Sequence, residues 1–448
     1  MNKNLKILFL IWGVALIVLL GCQQQSQPSA ASVLDNDSLL TLVQYQTFQY
    51  FWEGAEPFSG MARERIHLDG IYPDNDQNVV TSGGSGFGLM AILVGVKRGF
   101  ITQDQGIERF EKILNFLELA DRFHGVYPHW WYGDTGKTKP FSKKDDGGDL
   151  VETSFLAQGL LTVRQYFKNG NDREKIIAQR ADQLWQDIEF DWHTKGGEKV
   201  LYWHWSPNFE WEMNFPVGGY NECLIMYVLA AASPSHAIEP SVYHKGWARN
   251  GKIKSDHKYM GYDLVVDHYE TNDDPVGPLF WSHYSYMGLK PKGLHDQYGD
   301  YWTLNQNHAK IHYDYSVENA QKFKGYGPDC WGLTSSYSIN GYDGHKPGND
   351  VGVISPTAAL SSIPYTPQES IQMLKWLYQP AQEKLIGRYG PYDAFSLEYD
   401  WLLPRYLAID QGPIPVMIEN YRTGFIWDLF MSAPEIKTGL DKLGFWVD

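Results

Sequence analysis

Helix-like segments in this sequence are joined by connections of two very different lengths, and that alternation restricts the possible folds more than any other feature. Apolar periodicity places helices over 36–53, 84–98, 103–121, 149–167, 172–190, 219–232, 239–248, 278–287, 300–323, 355–363, 367–379 and 417–431. The connections 54–83, 122–148, 191–218, 249–277, 324–354 and 380–416 each hold 27 or more residues, whereas 168–171 holds four and 364–366 three. A ring of antiparallel helix pairs, elaborated on one rim and tight on the other, produces this rhythm. Connections this long are uncommon in a compact domain unless they carry function.

The helices divide by amphipathicity in the same rhythm. In 103–121 the apolar residues Ile107, Phe110, Leu114 and Leu117 step by 3, 4 and 3, Thr102 and Gln105 fit a capping box, and Glu108 and Lys112 fit an exposed pair. Ile177, Ala181, Leu184 and Ile188 form one stripe of 172–190. By contrast, 86–96 and 220–232 are apolar nearly all round, as helices covered on every side are. Amphipathic helices outside and apolar helices inside predict an all-α (α/α)6 toroid, with long aromatic-rich loops on one rim. Val200, Tyr202, Trp203 and Trp205, flanked by glycine and proline, predict a hairpin within 196–206. The absence of a 30–45-residue repeat argues against a solenoid.

The N-terminus reads as an address rather than as part of the fold. Lys3 and Lys6 precede an apolar run from Ile7 to Leu20, followed by Gly21 and Cys22. That pattern matches a bacterial lipoprotein signal over 1–22 with Cys22 lipidated. The run is short of the ~20 residues that span a bilayer. Residues 23–35 follow as a flexible tether, and 36–448 as a single catalytic domain. The expectation is an exported, membrane-anchored protein of the periplasm or outer membrane. Only Cys223 and Cys330 remain beyond Cys22, so no disulfide framework is expected.

Composition narrows the ligand. A formal charge of −15 disfavours nucleic acid. Seventeen Trp, 29 Tyr and 21 Phe beside 53 Asp and Glu suit a neutral polyhydroxylated molecule, since flat rings stack on sugar faces and carboxylates accept hydroxyl protons.

Two acidic segments are candidates for chemistry. In 144–153, Asp149 and Glu152 extend the stripe of Leu156, Leu160, Val163 and Phe167 on one helix face, with Asp145 and Asp146 on the glycine-rich loop before it. The same spacing fits a plain N-cap at Asp149 with Glu152 completing a capping box. Glu222 is the only formally charged residue between Met213 and Ile238. Desolvation there is expected to keep its carboxyl protonated, ready to act as a general acid. Glycoside cleavage uses such a division, one acid protonating the leaving oxygen and a second, ionised carboxylate activating water. Trp130, Trp131, Trp203, Trp205 and Trp211, with His129 and His204, lie on the same rim as candidate stacking groups. Asp74, Asp76 and Asn78 begin like a calcium loop, but Val79 and Ser85 break the pattern, so no metal is expected. Gly83, Gly84, Gly86 and Gly88 miss the dinucleotide spacing. His124 and His283 read as structural.

Four segments carry a resemblance to a known family: 81–88 (TSGGSGFG), 141–153 (FSKKDDGGDLVET), 219–222 (GYNE) and 390–395 (GPYDAF). In this order the chain resembles, from about residue 36 to 446, the bacterial glucoamylase-like family of glycoside hydrolase family 144, the endo-β-1,2-glucanases. The resemblance implies an (α/α)6 fold and inverting cleavage of β-1,2-glucan to sophorose-sized products without cofactor. It implies that the essential acids fall on Asp145, Asp149, Glu152 and Glu222, with Glu222 as general acid. Asp145 or Asp149, with Glu152, would orient or deprotonate water. Asp146 and Tyr392, within these segments, are expected to contact substrate. The alternatives are a non-catalytic glycan-binding lipoprotein, or an exo-acting sophorose-releasing or other glucosidase. A monomer is expected.

Overall fold

The computed structural model describes residues 34–268 and 276–448. The expected leader over 1–22 with Cys22, and all but the last two residues of the expected tether, lie outside them. Among the described residues no helix is long and apolar enough to cross a membrane.

The described chain is an (α/α)6 toroid. Its outer helices are α1 (Asn36–Trp52), α3 (Gln103–Leu119), α5 (Asp172–Gln186), α7 (Pro240–Val242, continued as a π turn over Tyr243–Trp247), α8 (Tyr301–Glu318) and α10 (Pro367–Leu377). Its inner elements are α2 (Ser82–Lys97), α4 (Leu150–Phe167), α6 (Leu224–Ala232), two 3-10 turns (Leu279–Ser282 and Ser285–Met287), α9 (Pro356–Leu360) and α12 (Pro413–Thr423). α11 (Ala408–Gln411) leads into α12, and α13 (Phe425–Met431) and α14 (Pro434–Leu443) close the chain. Inner α6 is buried at every position, and α2 from Ser82 to Gly95. Outer α3 and α5 bury one stripe each. The Thr102/Gln105 capping box forms as expected. Lys112 Nζ, expected to face Glu108, donates to Pro57 O.

Inner neighbours approach closely where they share glycines. A Cβ on Gly86 would sit 2.2 Å from Phe155 O, and one on Gly159 2.4 Å from Gly86 O, so α2 and α4 pack backbone to backbone. Two buried hydroxyls of α4 are satisfied within the helix, Ser154 and Thr162 donating to carbonyls one turn back at 2.7 and 2.8 Å.

The inner element expected as a helix over 278–287 is two short turns instead. Its main chain is held by side chains from three neighbours. Gln158 Nε2 donates to Tyr284 O (3.1 Å) and Gln158 Oε1 accepts from Gly288 N (2.5 Å). Asn420 Nδ2 donates to Met287 O (2.9 Å), and Trp427 Nε1 donates to Tyr286 O (2.7 Å). With these groups satisfied from outside, the segment has no need of an α-helical ladder.

Three further expectations are corrected. The helix over 219–232 starts only at Leu224, after Gly219 at φ +84. The segment 417–431 belongs to a longer broken run. Pro413 and Pro415 occupy the first turn of α12, where no amide donor is required, and Gly424 at φ +73 separates α12 from α13. α14 lies outside the expected set, although Pro434 opens it and Gly444 at φ +80 ends it. Lastly, Leu201–Tyr202 and His204–Trp205 do not form a hairpin with each other. They pair with Pro216–Val217 and Gly148–Asp149 respectively.

Candidate active site

The first turn of α4 sets the site. Asp149 is its N-cap: its Oδ1 accepts from Glu152 N at 2.9 Å, and its backbone is laid beside His204 by the pairing of 148–149 with 204–205. Its other oxygen, Oδ2, is 3.1 Å from His129 Nδ1 and 3.7 Å from His204 Nε2, and His204 Nε2 is 3.1 Å from Asp145 Oδ2. The four side chains form an alternating chain, His129, Asp149, His204, Asp145. Burial alone would push the Asp149 carboxyl up, but the His129 hydrogen bond and the His204 charge hold it below its ordinary value. Burial likewise works against charge on His129, yet Glu152 and Asp149 raise it to about 10. The donor atoms of His129, Asp145 and Asp149 lie within 4.8 Å of one another, close enough for one cation. The histidine partners of both carboxylates account for that closeness.

Glu152 turns away from this chain toward a cavity of about 300 Å³. Its Oε2 accepts from Gly83 N at 3.0 Å, at the N-terminus of α2, and a Cβ on Gly83 would lie 2.2 Å from that oxygen. Glycine at 83 is therefore what lets the carboxylate reach the helix amide. Burial raises the Glu152 carboxyl well above its ordinary value, the negative charges of Asp149 and Glu64 add to this, and His129 opposes it.

Glu222 lines the same cavity from the turn before α6. Ser285 Oγ anchors that turn by donating to Glu222 O. The side chain is 9% exposed, and burial, followed by the Asp149 charge, pushes its carboxyl up to about 7. The expected desolvation of this isolated acid is present.

Of the four acids singled out in the sequence, Glu152 and Glu222 line the cavity, and Asp145 and Asp149 sit behind it in the histidine network. Asp146 is engaged as a loop tie, accepting from Ser206 Oγ (2.5 Å) and Asn208 Nδ2 (2.7 Å). The aromatic candidates divide similarly. Trp130 lines the cavity beside His129. Trp131 is fully buried against Phe116 and Tyr127. Trp203 stacks on His204, while Trp205 and Trp211 pack around Trp192 in a separate cluster. Tyr392 packs on Tyr406 and is not among the lining residues. His124 pairs with Glu189, and burial drives His283 down to about 3.

Several lining residues carried no signal in the sequence: Glu64, Arg65, Tyr284, Tyr337 and Tyr342. Pairing of Arg65–His67 with Arg405–Leu407 turns Glu64 inward and lays the Arg65 guanidinium 5.5 Å from the Trp130 ring. Phe141 stacks on His129 at 4.4 Å. Tyr337 and Tyr342 arrive on an antiparallel hairpin, Ser335–Ser338 with Gly341–Gly344. Two buried donors on lining residues, Trp130 Nε1 and Tyr284 Oη, have no protein partner among the described residues.

Comparison with known proteins agrees with this chemistry. The family model described as "Putative glucoamylase" matches residues 214–434. A Parabacteroides distasonis protein named exo β-1,2-glucooligosaccharide sophorohydrolase (non-reducing end) is 43% identical over 426 residues, which is 92% of this chain. The chain spans 58% of that protein's length. The structure of an endo-β-1,2-glucanase from Chitinophaga pinensis, in complex with sophorotriose and glucose, is 61% identical. It superposes with a TM-score of 0.90 over 92% of this chain and 99% of that one. A β-1,2-glucanase structure from Parabacteroides distasonis, 43% identical, gives a TM-score of 0.86 over 92% of this chain and 60% of that one.

Proposed function

The chain belongs to the glucoamylase-like family of glycoside hydrolase family 144 type, and from that premise we propose that it hydrolyses β-1,2-glucan to short, sophorose-sized oligosaccharides by an inverting, two-carboxylate mechanism. The observation that carries this reading is that two desolvated acids, Glu152 and Glu222, face one aromatic-walled cavity. Glu222, with its carboxyl near 7, holds a proton at and below neutrality and delivers it to the leaving glycosidic oxygen. Burial raises the Glu152 carboxyl to about 8, so it takes the proton of the attacking water only in its ionised form, which the Gly83 N–H and the facing His129 cation favour. Asp149 and Asp145 act through His129 and His204, as positioning residues. Trp130, Tyr284 and Phe141 hold the sugar.

Glu222→Gln tests the assignment. Release of reducing sugar from β-1,2-glucan is expected to fall by about 10³-fold, within the range that general acid catalysis supplies, while substrate binding persists. Unchanged turnover would reject the role. Parallel incubation with α- and β-glucans of other linkages checks the substrate, and a pure binding protein would release nothing from any of them. An exo mode is the second reading, supported by the name of the Parabacteroides relative and by the hairpin bearing Tyr337 and Tyr342 at the cavity. Sophorose alone from the earliest time points would establish it, and a ladder of mixed lengths would establish internal cleavage.

The lipid anchor at Cys22, the tether over 23–35, an exported membrane-anchored location and a monomeric 36–448 domain belong to the same proposal. The support for the anchor and the location is the basic, apolar and Gly-Cys order of the first 22 residues.

A further inference from the structure

Behind the cavity wall lies a second acidic pair that the chemistry above does not use. Asp393 and Asp410 are 3% and 2% exposed, and their side chains hydrogen-bond to each other. Asp393 Oδ1 and Asp410 Oδ2 have no hydrogen-bond donor among the described residues. Two carboxylate oxygens can share a hydrogen bond only through a proton that one of them carries. The pair also joins three segments of one wall. Asp410 lies in α11, directly after the lining residues Leu407 and Ile409. Asp393 sits on the loop whose Phe395 pairs with Ile354. Asp393 Oδ2 accepts from Tyr337 N at 2.8 Å, in the hairpin that brings Tyr337 and Tyr342 to the cavity.

We propose that Asp393 and Asp410 hold one proton between them and that this acid–carboxylate pair positions the 335–344 hairpin at the cavity. Loss of the proton to solvent base leaves two buried negative charges in contact, which repel each other and loosen the Tyr337 anchor. The surroundings favour keeping the proton. Glu64 and Tyr284 face Asp410, Tyr342 faces both aspartates and Tyr337 faces Asp393, and the charges of Arg65 and Arg405 also act on Tyr337. Burial lifts the Asp393 carboxyl to about 6 and raises the Asp410 carboxyl well above its ordinary value, which favours keeping the shared proton, and rising pH removes it. A second tie, Tyr337 Oη to His67 Nε2 at 2.9 Å, keeps the hairpin from leaving altogether.

The consequence for catalysis rests on the glucanase reading, whereas the state of the hairpin does not, so the test measures both. Asp410→Asn replaces the shared proton with an amide N–H that cannot be titrated. In the wild type KM for β-1,2-glucan is expected to rise about tenfold between about pH 6 and about pH 9, the size of losing one hydrogen bond to a charged group, with kcat following Glu222. In Asp410→Asn the change in KM over that range is expected to stay below about twofold. Hydrogen exchange of the 335–344 amides, corrected for the intrinsic rate at each pH, is expected to speed up relative to α2 in the wild type alone. A parallel rise of KM in both proteins, or hairpin exchange that does not change with pH, overturns the proposal. Absence of any β-1,2-glucan cleavage would overturn the functional reading and leave the exchange comparison to decide this one. Asp393→Asn carries the same comparison if Asp410→Asn does not fold, and the wild-type exchange profile decides if neither does.

Discussion

Glu222 shows how far a single position can be read. Its isolation in an apolar run is a local property, so desolvation, the largest cause of its raised pKa, is legible before any coordinates. That shift has a consequence for stability. Below the unfolded value near 4.5 both states are protonated, and between there and about 7 only the native state binds the proton. Native stability therefore declines as pH rises through that window, by about 3 kcal/mol at the limit. Glu222→Gln removes the decline. Its thermal midpoint is expected to exceed that of the wild type at pH 8, with the gap closing toward pH 4, and a constant gap would show that the carboxyl is not desolvated in solution. Asp149 was ambiguous between N-cap and site residue, and it serves as the cap through Oδ1 while Oδ2 engages His129. Glu64 was not legible in the sequence, where two arginines flank it, and only the pairing of the strand that follows brings it, with Arg65, to the cavity.

At the level of elements, capping and periodicity located the regular helices to within a few residues, since both depend on neighbours three or four positions away. They failed where the backbone is satisfied from a distance, as in 279–288, whose amides and carbonyls are met by Gln158, Asn420 and Trp427. They failed too where proline reads as a breaker yet occupies a first helical turn, as in α12 and α14. The closeness of α2 and α4 makes a sharp prediction. Gly86→Ala would drive a methyl against Phe155 O, a main-chain atom that cannot swing aside, and is expected to cost about 3 kcal/mol in denaturant unfolding. A neutral result would mean that the two helices are less tightly apposed than the structure has them. Because Gly83 and Phe155 lie on these same helices, loosening them is also expected to displace Glu152 and lower kcat.

For the whole molecule, the toroid explains why acids distant in the chain meet. The inner elements run parallel, so the segments that start α2, α4 and α6 open on one rim, and the long connections on that rim supply the cavity walls. An anchor ahead of this body would leave it free on its tether. Cys22→Ser is therefore expected to move the protein from the membrane to the soluble fraction with kcat on β-1,2-glucan unchanged. Continued membrane association would count against lipidation at Cys22.

The order of amphipathic and apolar helices, the alternation of long and short connections, and the acids near the start of α4 and α6 were all determined within the sequence, because apolar spacing and cap chemistry act over a few residues. Which carboxylates face the cavity, which are neutralised by histidine, and which share a proton behind the wall was decided only by the tertiary structure. Those outcomes depend on desolvation and on partners remote in the chain, such as Gly83 and Glu152, 69 residues apart, or His67 and Tyr337, 270 apart. Charge and burial act through space, and the chain order does not record which distant groups the fold brings within reach.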